Sequence, residues 1–357
     1  MKDKPNVLLF GTNCASVLNS LAFGFKQTGI PVKAFTFDFK RSIYSNYTNL
    51  SCICIDNNPG KIKLFFYKIK ALFILIKNLM WCDVVHVYGA LSSPTFWIIG
   101  KLAKHKYVTF VGSDIRETAI ELVRNPYFKY AYENEQYEFK TINDTNKTAD
   151  KLNFLAKLHY KFIVWDVGMF FPESLKQLVA IVPHASVNTI AHDTAKEIGF
   201  NTEPLIIHAP TSPVAKGTQY VLEAIDKLKV KNCSFKFQLL QGLTNAGYQH
   251  ILKKADILVD QMIWGAFGVA AQQAMEMGKV VVAYILPERM PIYGKDLPVQ
   301  NATIENLAEV LENLVNNNEL RKQIGKKSVE YYNSMHEPKM VAAKMLQAYH
   351  SLALVNK

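Results

Sequence analysis

Cysteine is scarce in this chain and unpaired. Its 357 residues hold five (Cys14, Cys52, Cys54, Cys82 and Cys233), an odd number with no C-x-x-C spacing. That argues against a disulfide framework or a thiolate zinc site, and it favours a reducing cytoplasm. Cys52 and Cys54 read as buried thiols on one side of a strand. No Asp-x-Asp pair or other ligand cluster occurs, so no metal is expected. Glycine (17) and proline (14) are too ordinary in number for a fibrous or linker-rich chain, and no low-complexity tract or fixed-period repeat appears. A transmembrane run is missing too, because the greasiest stretch, 60–80, carries five lysines. Met1-Lys2-Asp3-Lys4-Pro5 leads straight into a buried-strand pattern, and no signal peptide is expected.

Acidic residues are thin at the start. Residues 1–80 contain eleven Lys and Arg against three acids, a surplus of eight within a net charge of +11. Such a region calls for an anionic partner. Within 60–80, Ile62, Phe65, Phe66, Ile69, Leu72, Phe73, Ile76 and Met80 follow a helical period, with Lys61, Lys63, Lys68, Lys70 and Lys77 on a neighbouring stripe. Leu64, Tyr67, Ile74 and Leu75 add more apolar surface than one core face needs. The segment is expected to contact an anionic membrane surface; a core-packed helix with solvated lysines is the plainer alternative. A nucleic-acid partner is not expected, because no basic-aromatic motif accompanies the charge.

A hydrophobic content of 49% with 20% charged residues describes a globular protein, and the length fits two domains. Buried-strand patterns at Asn6–Gly11, Val32–Phe39, Ser51–Ile55, Val84–Tyr88 and Tyr107–Val111 alternate with helical stretches at 16–27, 60–80 and 92–104. Residues 117–160 break the rhythm and read as helix plus loop inserted over the sheet edge. Phe162–Trp165 and Val179–Val182 close the first half, and 184–203 is the expected linker. The alternation restarts with strands at Pro204–Ile207, Phe235–Leu240, Asp256–Val259 and Val280–Ile285, and ends in helices over 303–316, 318–334 and 337–355. The expectation is two doubly wound α/β domains, 1–190 and 191–357, with the last helix free to return to the first. Ligands then sit at the carboxyl ends of the strands.

Residues 204–285 carry a resemblance. Asp256-Ile257-Leu258-Val259, then Phe267-Gly268, then Gln273-Ala274-Met275-Glu276-Met277-Gly278-Lys279-Val280-Val281-Val282-Ala283 is similar to the family 4 glycosyltransferase pattern. Lys216-Gly217-Thr218 resembles that family's Lys-Gly step, Leu320 to Tyr331 its C-terminal helices, and Asp83–Tyr88 one of its first-domain strands. The resemblance implies a GT-B fold, two Rossmann-like domains facing a central cleft. It also implies a hexosyltransferase-like enzyme that retains anomeric configuration and uses a nucleotide-diphosphate sugar as donor, with no separate cofactor. A glycan or lipid-linked glycan is the implied acceptor, in polysaccharide biosynthesis at the inner face of the cell membrane. The family's two glutamates around Phe-Gly are replaced here by Gly265 and Gln273, and its arginine before the lysine is absent.

Lys216 offers a charge to a diphosphate, and the helix start at Gly268-Val269 offers amides. Around them, His208, Thr211, Ser212, Gly242, Gln261, Phe267 and Gln273 are candidates for donor binding, and Asp260 for the donor sugar in place of the missing glutamate. In the first half, Gly11, Thr12 and Asn13 follow the first strand and are expected to face the cleft. Asp114 is a candidate to orient an acceptor hydroxyl. His86, Tyr88, Ser113 and Arg116 complete the acceptor side, with Arg116 suited to a phosphate. An Asp114–Arg116 pair that only caps a loop is an equal alternative, and His86, inside an apolar strand, reads more readily as a satisfied core histidine. Two rivals share the architecture. A sugar-nucleotide epimerase or hydrolase would draw on Asp114, Asp260, Glu276 and Glu288 for proton transfer, and a non-catalytic sugar- or nucleotide-binding protein would need none of them.

Overall fold

Every residue of the strand Val7–Gly11 (β1, sequence VLLFG) is buried, the signature of a strand covered on both faces. The computed structural model that shows this describes residues 1–36, 45–52, 60–89, 91–110, 114–139, 146–187 and 201–355. From β1 the chain passes through helix Val17–Gln27 (α1), Val32–Thr36 (β2), Ser51–Cys52 (β3), Lys61–Leu79 (α2), Val84–Tyr88 (β4), Ser93–Leu102 (α3) and His105–Thr109 (β5). Helices Thr118–Arg124 (α4), Pro126–Asn134 (α5) and Asn146–Lys157 (α6) follow, then Lys161–Val164 (β6) and Val179–Ile181 (β7). These seven strands form one sheet in the order β3-β2-β1-β4-β5-β6-β7, and every pairing in it is parallel.

Strand β5 begins two residues before the expected Tyr107, and the reason is Lys106. Its ammonium donates to the carbonyls of Gly100 (2.7 Å) and Ala103 (3.1 Å), which lets a lysine sit in this buried strand.

The second half runs Leu205–His208 (β8), Pro213–Lys216 (α7), Thr218–Val230 (α8), Lys236–Leu239 (β9), Asn245–Lys254 (α9), Ile257–Val259 (β10), Val269–Glu276 (α10), Val280–Ala283 (β11), Met290–Tyr293 (α11) and Gln300–Asn301 (β12). Helices Leu307–Asn316 (α12), Asn318–Met335 (α13) and Pro338–Leu354 (α14) end the chain. Its sheet is parallel throughout, ordered β12-β11-β10-β8-β9. Strand β12 is too short to have left a pattern in the sequence. Buried polar groups pin this unit. Asp256 accepts hydrogen bonds from Asn201 N, Asn201 Nδ2 and Leu205 N, tying the chain's entry to the sheet. Arg321 donates to the carbonyls of Leu314, Val315 and Asn201, closing the end of α12.

The chain divides into two compact units. One holds Met1–Glu117, Thr145–Ser186 and Glu337–Lys357; the other holds Thr118–Asp144 and Val187–His336. A single cut at 190 therefore does not describe the division. Of the stretch 117–160, expected as an insertion in the first half, Thr118–Asp144 belongs to the second unit and the rest to the first. Helix α14 packs on α1 in the first unit, and Gly24 permits it: a Cβ there would lie 2.0 Å from Pro338 O.

Candidate functional site

The second sheet brings three of the expected groups together. Strands β8 and β10 are neighbours, so the chain leaving each ends on the same edge of the sheet. Lys216 follows β8, at the end of α7; Asp260 follows β10; Gly268 heads α10. Asp260 accepts a hydrogen bond from Lys216 Nζ at 2.7 Å through Oδ1 and one from Gly268 N at 2.5 Å through Oδ2. The carboxylate thus sits between an ammonium and a helix N-terminus, where both charges favour an anion. A Cβ on Gly268 would stand 3.3 Å from both Asp260 Oδ2 and Lys216 Nζ, close enough that these side chains would have to give by a few tenths of an ångström. Helix α10 starts without a side-chain cap and without an acid in its first turn.

His208 is not a ligand group, contrary to expectation. It is fully buried, with Nδ1 donating to Val259 O at 2.8 Å, which leaves Nε2 to accept from Thr218 Oγ1 at 3.0 Å. Burial pushes its pKa down to about 4, so the ring is neutral and braces β8 against β10 from beneath. Phe267 and Gln273 are likewise buried, Phe267 against the Tyr293 ring at 4.6 Å. Gln261 turns Nε2 onto Ala266 O at 2.6 Å and shapes its own loop. Thr211 and Gly242 are exposed, Ser212 and Val269 partly so, at loop positions after β8, after β9 and at the start of α10.

Position 265, where the resemblance would place a glutamate, is closed to any side chain. Gly265 has φ +64°, and a Cβ on it would lie 2.3 Å from Leu286 Cγ.

Sequence reading missed what fixes this loop. Asn125 Nδ2 donates to Ile263 O at 2.7 Å, and Arg289 donates to Trp264 O and, at 3.0 Å, to Glu121 Oε1. Phe128 stacks on Trp264 with ring centroids 5.1 Å apart. Glu138 accepts from Val214 N (2.8 Å) and Ala215 N (3.0 Å), capping the short helix that ends in Lys216. All four anchoring groups from the first half lie in segment 118–139. No local signal marks them, because each partner is far off in the chain.

In the first unit, the end of β1 faces a smaller constellation. Thr12 donates through N (3.0 Å) and Oγ1 (3.2 Å) to Tyr88 O, following Gly11. A Cβ built on Gly89 would lie 2.2 Å from Thr12 Oγ1 and 3.6 Å from Asp114 Oδ2, so these two side chains approach the same backbone turn. Arg116 is partly buried nearby in sequence. Asn13 instead braces the loop that follows, accepting from Asn19 N and donating to Asn46 O. Ser113 lies outside the described residues.

The expected acceptor-side roles of His86 and Tyr88 are corrected by their burial. His86 is fully buried and shares hydrogen bonds with Tyr349 Oη (2.7 Å) and Thr109 Oγ1 (2.8 Å). Its pKa is pushed down to about 3 by burial, so it is a neutral core histidine that ties β4 to α14. The Tyr88 ring packs on it at 4.7 Å.

No family model and no curated protein matches the chain. Solved structures do. A glycosyltransferase from Rickettsia africae ESF-5 aligns with a TM-score of 0.58 at 13% identity, covering 98% of each chain. The sucrose-phosphate synthase of Thermosynechococcus elongatus aligns at 0.58 and 12%, over 97% of this chain and 99% of that one. WaaG, a glycosyltransferase involved in lipopolysaccharide biosynthesis, aligns at 0.53 and 10%, over 95% and 98%. The likeness at these identities is one of fold: the chain has the α/β GT-B architecture of these enzymes, end to end.

Proposed function

We propose that the protein is a retaining glycosyltransferase of the family 4 kind, moving a hexose from a nucleotide-diphosphate sugar to a glycan or lipid-linked glycan. The observation that carries this reading is the meeting of Lys216, Asp260 and the start of α10 at the carboxyl ends of β8 and β10. Lys216 and the amides of α10 hold the diphosphate and stabilise its charge as it leaves. Phosphate oxygens compete with Asp260 for Lys216, and the released carboxylate turns to a hydroxyl of the donor sugar, replacing the glutamate that Gly265 cannot carry. The departing diphosphate takes the acceptor's proton, and Asp114 orients that acceptor hydroxyl. The acceptor is met at an anionic membrane surface at the inner face of the cell membrane, reached through segment 60–80.

The epimerase or hydrolase alternative is less favoured, because Glu288, one of the acids it needs, is engaged by Arg124 at 3.3 Å. Product analysis with a panel of nucleotide-diphosphate sugars, with and without lipid-linked glycan, tests the reading. Release of nucleoside diphosphate that depends on acceptor is expected. Release without acceptor makes the protein a hydrolase, rearranged donor without release makes it an epimerase, and binding without turnover makes it a binding protein.

A further inference from the structure

Helix α2 has two apolar faces, and the fold uses one. Leu64, Tyr67, Ile74, Leu75 and Asn78 turn inward and are partly or fully buried. About half a turn away on the helix, Ile62, Phe65, Phe66, Ile69, Phe73 and Met80 face solvent. Phe66 is 64% exposed and Phe73 69%. At 3.6 residues per turn this outer stripe covers roughly a third of the circumference. Lysines border it on both sides: Lys61 and Lys68 along one edge, Lys63, Lys70 and Lys77 along the other. The helix contains no acid.

Helix α3 stands on the same side of the sheet. The connections β3-α2-β4 and β4-α3-β5 step across the sheet in the same direction, and right-handed crossovers then place both helices on one face. From α3, Trp97 projects 52% exposed, with the Lys101 ammonium 5.9 Å from its ring centroid, and Leu102 lies beside them in sequence, also exposed.

We propose that the α2–α3 side of the first unit is a monotopic membrane face, with α2 lying flat in the headgroup layer of an anionic bilayer. The inference deepens the membrane part of the proposed function and does not depend on the donor chemistry. The outer stripe enters the acyl boundary, about 5–10 Å deep. Both lysine rows lay their methylene stems along the aromatics and reach lipid phosphates with their ammonium groups. Trp97, exposed on α3 of the same face, adds an interfacial anchor.

Two observations favour a lipid surface over a protein. Cations on both borders with no acid between them match a plane of uniform negative charge, whereas a protein groove offers patterned charge. A second copy of this chain would set lysine rows against lysine rows. Five lysines forbid a deeper position, and no helix among the described residues is long and apolar enough to cross a membrane.

Co-sedimentation tests this, with vesicles of phosphatidylcholine alone and of phosphatidylcholine with one-third phosphatidylglycerol. The wild type is expected to pellet with the anionic vesicles at low salt and to be released as salt shortens the screening length. Replacing Phe65, Phe66 and Phe73 together by Ser, or Lys63, Lys70 and Lys77 together by Gln, should lower the partition at least about tenfold. All six are surface positions, and thermal melting checks that both variants stay folded. Trp97 fluorescence should be quenched by lipids brominated just below the headgroup, and Trp97→Phe should abolish that quenching. Negligible binding to both vesicle types overturns the proposal. So does a solution dimer that the Ser variant converts to monomer while vesicles bind nothing, since a second copy would then cover the face. Nucleoside diphosphate binding, measured separately by calorimetry, separates this outcome from failure of the transferase reading.

Discussion

In the proposed transferase, Asp260 holds the position that a donor phosphate would take. Its two oxygens occupy the ammonium of Lys216 and the amide of Gly268, the cap residue of α10, groups suited to a diphosphate. Lys216→Ala should therefore weaken binding of any nucleoside diphosphate by about 1.5–3 kcal/mol, the range for a hydrogen bond to a charged group. Asp260→Asn acts in the opposite direction. It removes a competing anion from the seat and should tighten nucleoside diphosphate binding, while turnover of the full donor falls because no carboxylate turns to the sugar. Calorimetry alongside a turnover assay separates the two effects, and equal affinities in all three proteins would remove this cluster from the donor site. Gly265 supports a further prediction. Restoring the family glutamate by Gly265→Glu demands a left-handed backbone and places Cβ inside the Leu286 side chain. The conformational term is roughly 1–2 kcal/mol and overpacking adds about 1–3. Denaturant unfolding should show that loss without any gain in activity; a variant as stable as the wild type would mean the loop adapts freely.

At the scale of elements, segment 118–139 is the part of the second unit that arrives from the first half of the sequence. It supplies the Glu121 carboxylate to Arg289, the Asn125 amide to Ile263 O and the Glu138 cap to α7, so it sets the loop between β10 and α10 and the helix that carries Lys216. Glu121 and Arg289 are both about 1% exposed. Removing one partner strands a buried charge, so Glu121→Leu should cost about 3–5 kcal/mol and loosen the donor loop. The double change Glu121→Leu with Arg289→Met should recover much of that, because a hydrophobic pair of similar volume replaces two charges. Urea unfolding of the single and double variants measures the coupling, and additive losses would show that the pair is not one unit.

This segment also marks the limit of what the sequence shows. Strands such as Val84–Tyr88 and helices such as 61–79 were legible because their apolar period is local. So was the Lys216–Gly268 neighbourhood, whose spacing follows a pattern. That 118–139 belongs to the second unit was not legible: its ties to Ile263, Trp264 and Arg289 are between residues more than a hundred positions apart. The fate of Asp260 and His208 was hidden although their partners lie within about fifty positions, since a side chain's type does not state which group it meets.

For the whole molecule, two of the buried histidines, one in each unit, make acid a shared weakness. His86 lies in the first unit and His208 in the second. Burial holds their pKa values at about 3 and about 4, against about 6.5 in an unfolded chain. Below that unfolded value the unfolded state binds protons that the native state refuses, so folding stability falls as pH falls. The window runs from about pH 6.5 down to about pH 4 for His208 and about pH 3 for His86, and each histidine contributes a slope of up to roughly 1.4 kcal/mol per pH unit within it. Above about pH 6.5 both rings are neutral in either state and their contribution is level. Paired carboxylates lose stability in part of the same range, so the comparison has to be made between variants rather than within one curve. His208→Gln, which retains an amide donor and an acceptor oxygen, should flatten the acid limb of the second unit, and His86→Gln that of the first. Each variant starts from a lower stability at neutral pH, because its hydrogen bonds are rebuilt less well. Urea unfolding followed by hydrogen exchange in each unit, across that pH range, reads the two slopes separately. If neither substitution reduces the acid slope of its own unit, His86 and His208 are not the groups that acid charges, and carboxylates or other histidines lowered by burial, such as His184, set the limit.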